Sequence, residues 1–110
     1  MNALTTLAIL TLAAIGEAGG DALARAGLHS AATPTRILFF LAAAAVLFAY
    51  GLTVNAPPWD FGRLLGVYVA LFFVVAQAIN LFAFGVKPGL PIFCGGTLII
   101  AGGMLITVWK

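Results

Sequence analysis

Hydrophobic residues occupy four long blocks of the chain, separated by short polar segments. Each block is apolar almost throughout, so it shows neither a helical stripe nor the alternation of a membrane β-barrel. A block of about 20 apolar residues has the length that a helix needs to cross the hydrocarbon core of a bilayer. The pattern therefore predicts four transmembrane helices, at about residues 3–23, 36–54, 63–84 and 91–109.

Helix-breaking residues between the blocks predict where these helices begin and end. Thr33 is expected to cap the second helix, with Pro34 at its first helical position, where a missing N–H is tolerated. The Pro57-Pro58 pair stops that helix, and Gly85 is expected to cap the third. The Lys87-Pro88-Gly89 segment then forms a tight connection to the fourth helix.

Composition assigns the broad class. Apolar residues make up 64% of the 110 residues and charged residues only 7%, which is far from the composition of soluble domains. The length suits one domain, residues 1–110, and we predict an all-α integral membrane protein. A cleaved signal peptide is the alternative for the first block, but no Lys or Arg precedes that block, and carboxylates follow it.

The charges in the loops give almost no preference for one orientation in the membrane, because the two sides carry similar numbers of basic residues. Insertion in both orientations, a topology dictated by a partner subunit, and a single orientation all remain open. One side carries Arg63 and Lys110 against Asp60, and the other carries Arg25, Arg36 and Lys87.

Glu17 is the strongest candidate for a functional residue. It lies within an apolar run that is otherwise uncharged from Ala3 to Gly20. An ionisable group inside a bilayer costs several kcal/mol, about 3 kcal/mol even on lenient insertion scales, so such a residue is a functional hypothesis by default. A purely structural ion pair is disfavoured, because Arg25 is two turns away and Arg63 is expected at a membrane interface.

Asp21 follows Glu17 by one helical turn and precedes Arg25 by another. An ordinary helix ion pair between Asp21 and Arg25 is the favoured interpretation. The alternative is a second carboxylate at the mouth of the site, which draws in cations or shares the proton load. Gln77 and Asn80, one turn apart in the third block, are expected to hydrogen-bond neighbouring helices, or else to line a cavity.

A tyrosine and four glycines predict where a helix meets the membrane surface and how the helices pack. Tyr50 is expected in the aromatic belt at the membrane surface. Glycines in the fourth block recur every seven residues on two faces, where they suit either packing among the four helices or contact with a second copy. These two pairs are Gly95 with Gly102, and Gly96 with Gly103.

Several features in order along the chain resemble the YnfA-type branch of the small multidrug resistance superfamily. They extend over nearly the whole chain, and it is their order and spacing together that carry the resemblance. Asp21 has no expected counterpart in this pattern, and the expected aromatic residues of the first span are absent. The features are Glu17 followed by Gly20, Leu47-Phe48 with Leu52-Thr53, Gly62-Arg63 with Tyr68, Gly85-Val86-Lys87, and Gly103-Met104-Leu105-Ile106.

The resemblance implies an antiparallel homodimer, with dual topology, in the inner (plasma) membrane, which exports small organic cations in exchange for protons. It also implies that Glu17 of both subunits forms a shared site for proton and substrate, with Tyr68 close by. Asp21 is a further candidate for this site. No cofactor, metal or nucleic acid is expected, since one His and one Cys do not make a ligand set and the net charge is only +2.

An enzyme is not expected, because no nucleophile with a matching base is recognisable. Two other functions stay open. The chain could instead be a non-transporting assembly subunit, in which Glu17 pairs with a basic residue of another chain. It could also be a subunit of a flippase for lipid-linked sugars.

Overall fold

The computed structural model describes residues 2–109 and contains four α-helices in this part of the chain. Each is long and apolar enough to cross a membrane, which confirms the prediction of an all-α, multi-pass membrane protein. Met1 and Lys110, one of the loop charges counted above, lie outside the described residues. The helices are α1 (Ala3–Leu28), α2 (Thr33–Val54), α3 (Phe61–Phe84) and α4 (Leu90–Val108).

Two helix boundaries differ from the prediction. Helix α1 continues to Leu28, five residues beyond the predicted end at residue 23, because Arg25 in its last turn suits the negative end of the helix dipole and does not break the helix. Helix α2 begins at Thr33, and Ala32 is its N-cap, so the expected Thr33 cap was wrong. Pro34 lies in the first turn, where its fixed φ is compatible with a helix.

The expected cap of α3 is present. Gly85 has a φ of 67°, in the left-handed region that glycine adopts without strain. Its N–H donates to the carbonyl of Leu81 at 3.1 Å, and the N–H of Val86 donates to Asn80 at 3.1 Å. At the other end of α3, the Asp60 carboxylate accepts a hydrogen bond from the N–H of Arg63 at 3.0 Å, so both ends of this helix are satisfied.

Arg63 ties the start of α3 to the end of α4. Its guanidinium donates to the carbonyl of Thr107 at 2.9 Å and to that of Trp109 at 3.4 Å. Carbonyls at the end of a helix have no partner within the helix, and a cation there also interacts well with the dipole. Arg63 therefore has a structural role at the helix ends.

Close packing among the described residues joins α1 with α2, α1 with α3, and α3 with α4. The helices thus follow the order α2, α1, α3, α4 in a flat layer of 51 × 34 × 19 Å, with α4 at one edge. The buried core joins the first half of α1, the end of α2 and the first half of α3, and it consists of Leu10, Ala13, Ala14, Val54, Leu64, Val67 and Tyr68.

Two glycines of α1 mark its contact with α2. A Cβ atom at Gly20 would lie 2.6 Å from a methyl carbon of Leu47, and one at Gly16 would lie 3.4 Å from the Cβ of Tyr50. Small residues allow such close approach where lipid gives helices little hydrophobic drive to associate. Gly16 therefore brings α2, and Tyr50 with it, next to the turn of α1 that carries Glu17.

Thr6 offers a test of packing in the core. Its side chain is fully buried, and its hydroxyl has no hydrogen-bond partner among the described residues. Because valine has nearly the same shape and no hydroxyl, Thr6→Val should stabilise the fold by about 1–3 kcal/mol, the usual penalty of a buried unpaired polar group. Thermal unfolding in detergent measures this. Thr11→Val is the control, since the exposed Thr11 hydroxyl donates to Leu7 at 2.8 Å, and a lower midpoint for Thr6→Val would contradict the prediction.

Candidate functional site

Glu17 is half-buried near the middle of α1, and it is held by α3. The hydroxyl of Tyr68 donates a hydrogen bond to Oε1 of Glu17 at 2.8 Å. Tyr68 itself is only 4% exposed and belongs to the core, so its position is fixed by packing. The structure thus brings together two residues that lie 51 positions apart in the sequence.

Two further aromatic rings complete this site. The ring of Tyr50 stacks on that of Tyr68 with 5.9 Å between the centroids, and the ring of Phe72 lies 6.1 Å from Tyr68 on the next turn of α3. The prediction that Tyr50 belongs to a surface belt is therefore corrected. Glycines surround Glu17 in the sequence, which predicts that a neighbouring helix or a ligand can approach it; the structure shows that this neighbour is α2, close enough for Tyr50 to reach the site.

A cleft opens between α1 and α3 directly beyond the Glu17–Tyr68 pair. The two helices pack against each other through the core in their first halves, and beyond Glu17 they border an open cleft of about 370 Å³. This α1–α3 cleft is lined from α1 by Ala18, Asp21, Ala22 and Arg25, and from α3 by Phe72, Ala76, Gln77, Ile79, Asn80 and Phe84.

Four polar side chains of the two helices line the cleft. Asp21 and Arg25 lie on one wall, and Gln77 and Asn80 lie on the other. Within residues 2–109, Asp21 and Arg25 share this wall without forming the expected ion pair. Gln77 and Asn80 line a cavity, which was the second of the two expectations for them.

The surroundings of Glu17 differ in the two directions along α1. On one side of Glu17, the side chains of Leu10, Ala13 and Ala14 are packed and almost fully buried. On the other side, the cleft extends to Arg25, in the last turn of α1, and to Phe84, the last residue of α3. Glu17 therefore lies where a closed core meets a cleft that reaches the end of the helices.

No group of three or more metal-ligating side chains lies together in the described part of the chain. Chemically, the arrangement offers one carboxylate that can hold either a proton or a cation, a tyrosine that orients it, and a neighbouring cleft with four polar side chains on its walls. Comparisons with family models, with curated proteins and with solved structures find no match to this chain.

Proposed function

We propose that this protein is a proton-coupled transporter that exports small organic cations across the inner (plasma) membrane. The observation that carries the proposal is the position of Glu17, which is hydrogen-bonded to a buried tyrosine at the boundary between the closed core and the open cleft. A carboxylate within a membrane-spanning helix is typical of ion and proton pathways.

The chemistry of a carboxylate supports exchange of a cation for a proton. In surroundings of low dielectric constant the charged form of a carboxylic acid is disfavoured, whereas an adjacent cation favours it. A cation and a proton therefore compete for the same group, and binding of one releases the other. If the site changes its exposure only when it is occupied, this competition couples the two movements.

We further propose that two antiparallel copies form the transporter. One chain forms a flat layer 19 Å thick, which has little room for a shielded path. On α4, a Cβ atom at Gly95 or Gly102 would meet no atom of another described helix within 4 Å, so this face is available for a second copy. The nearly balanced loop charges are compatible with insertion in both orientations. In such a dimer, exchange of the two subunits interconverts the outward-facing and inward-facing states, as in transporters with inverted repeats.

Proton release from the purified protein tests this function. The full chain in detergent, in weak buffer, is mixed with guanidinium or tetraphenylphosphonium while the pH is recorded. Saturable release of protons is expected, followed by cation uptake that depends on a pH gradient in liposomes. No release at any pH across the titration range of a carboxylate would contradict the proposal and favour an assembly subunit or a lipid flippase.

The Tyr68→Phe variant should weaken cation binding without unfolding the protein. Phenylalanine keeps the ring that packs in the core and stacks on Tyr50, but it lacks the hydroxyl that donates to Glu17. A hydrogen bond to a charged group contributes about 1.5–3 kcal/mol. The cation concentration for half-maximal proton release should therefore rise about 10- to 150-fold. An unchanged value, with an unchanged unfolding midpoint, would show that Tyr68 does not support the ionised site.

A further inference from the structure

A second concavity between α1 and α3 is apolar throughout. This apolar groove has a volume of about 510 Å³, and it is lined by Ile15 of α1 and by side chains of α3 between Val74 and Ala83. None of the lining side chains is polar. Ile15 precedes Glu17 by two positions, which is about 200° around a helix, so the groove and Glu17 lie on opposite faces of α1.

The apolar groove extends along α3 over the depth of about one leaflet of a bilayer. It begins at Val74, near the middle of the helix, and reaches Ala83 in the last turn. This length of helix rises about 14 Å, and half of the hydrocarbon core of a bilayer measures about 15 Å. The groove is also open, since Phe82 on its wall is 84% exposed. A single lipid acyl chain, which extends from the membrane surface towards the centre, matches this length and direction.

The outer end of the groove lies at the basic end of the molecule. Arg25, in the last turn of α1, borders the α1–α3 cleft together with Phe84, the residue after Ala83. The exposed Lys87 follows in the connection between α3 and α4, which lies at the same end of the helices as the connection between α1 and α2. Within residues 2–109, neither cation forms an ion pair. Asp21, one turn before Arg25, lines the polar cleft and not the groove.

From this combination we infer that the apolar groove binds an anionic phospholipid, with one acyl chain along α3 and the phosphate near Arg25 and Lys87. Hydrocarbon fits walls that carry no polar side chain, and it gains dispersion contacts with them. Basic groups at the ends of membrane helices attract anionic headgroups. The inference goes beyond the proposed function and does not depend on it, because the groove does not include Glu17.

A tryptophan in the groove can identify the lipid that lies against it. Phe82→Trp is made in the full chain with Trp59→Phe and Trp109→Phe, and the protein is reconstituted in phosphatidylcholine vesicles. Brominated phosphatidylglycerol is then added in increasing amounts, since bromine on an acyl chain quenches tryptophan fluorescence on contact. Brominated phosphatidylcholine gives the reference curve. Phosphatidylglycerol should bind at least about fivefold more strongly, which is the effect of one basic group near an anionic membrane surface.

The same reporter on another helix provides the matched control. Phe48 lies on α2, is 71% exposed and does not line the groove. Phe48→Trp, with the same two replacements of the native tryptophans, should be quenched equally by the two brominated lipids. This result would show that the preference at Phe82→Trp belongs to the groove and not to the whole surface of the protein.

Two changes then test the two halves of the site. Ala78 is exposed on the wall of the groove, so Ala78→Leu should fill the groove and abolish the preference at Phe82→Trp. Ala45→Leu makes the same change at an exposed position of α2 and should preserve it. Arg25→Gln combined with Lys87→Gln removes both cations and should lower the preference to about one, while both lipids still quench.

The possible outcomes either support or overturn the inference. A preference at Phe82→Trp that is lost both in Ala78→Leu and in the charge variant supports it. Equal quenching by the two lipids at Phe82→Trp, or a preference that survives either change, would overturn it. Weak quenching by both lipids at Phe82→Trp, with strong quenching at Phe48→Trp, would also overturn it, because a second copy or another protein would then cover the groove.

Discussion

Replacement of Glu17 by glutamine is expected to abolish the release of protons by cations while the protein stays folded. Glutamine has the same shape as glutamate and keeps an oxygen that can accept the hydrogen bond of Tyr68. The glutamine amide has no acidic proton to release and no charge to attract a cation. The loss should therefore be complete for every cation in the panel, in detergent and in liposomes.

Two controls define what this result means. Glu17→Asp retains a carboxylate one methylene shorter and should keep proton release with a changed cation affinity. Asp60→Asn removes a carboxylate at the N-terminus of α3 and should have no effect on release. Proton release by Glu17→Gln equal to that of the wild type would assign the coupling to another group. A Glu17→Gln protein that folds but fails to join a larger complex would instead support the assembly-subunit alternative.

Two neighbouring glycines of α4 should respond in opposite ways to the same substitution. A Cβ atom at Gly103 would lie 2.5 Å from the Cβ of Ala70 on α3, whereas one at Gly102 would meet no atom of another described helix within 4 Å. Replacing either glycine by alanine should stabilise α4 by about 1 kcal/mol, because alanine has the higher helix propensity. This contribution is the same for the two variants and does not affect their comparison. The overlap at Gly103 cannot be relieved by a side-chain rotation, because Ala70 has none, and should cost about 1–3 kcal/mol.

Thermal unfolding in detergent measures this difference. Gly103→Ala should lower the unfolding midpoint, because α4 has close packing only with α3 within the described chain and must move away from it. Gly102→Ala should leave the midpoint unchanged or raise it. A reduced dimer fraction in Gly102→Ala, with a normal midpoint, would support the second copy proposed for this face. Equal midpoints for the two variants would contradict the packing of α4 on α3.

Local features of the sequence were enough to predict the class of protein and the number of helices. A block of apolar residues has the same affinity for a bilayer wherever it lies in the fold, and Pro and Gly interrupt helices through their own backbones. Gly85 was placed correctly for this reason. The end of α1 was predicted too early. Arg25 is compatible with a helix, and in the sequence it marks only the change from apolar to polar residues. The energetic cost of a carboxylate in a bilayer was enough to make Glu17 a candidate functional residue, and its function stays a prediction.

Only the tertiary structure decided which residues surround Glu17. A helix that is apolar on all sides does not indicate which face meets which neighbour. Three findings therefore depend on how side chains of different helices fit together. They are the position of Tyr50 beside the site, the cleft lined by Gln77 and Asn80, and the contact of Gly103 rather than Gly102 with α3. The sequence determined that a carboxylate lies within the membrane, because desolvation acts on each residue separately. The fold determined what that carboxylate contacts, because packing acts on pairs of residues that are distant in the chain.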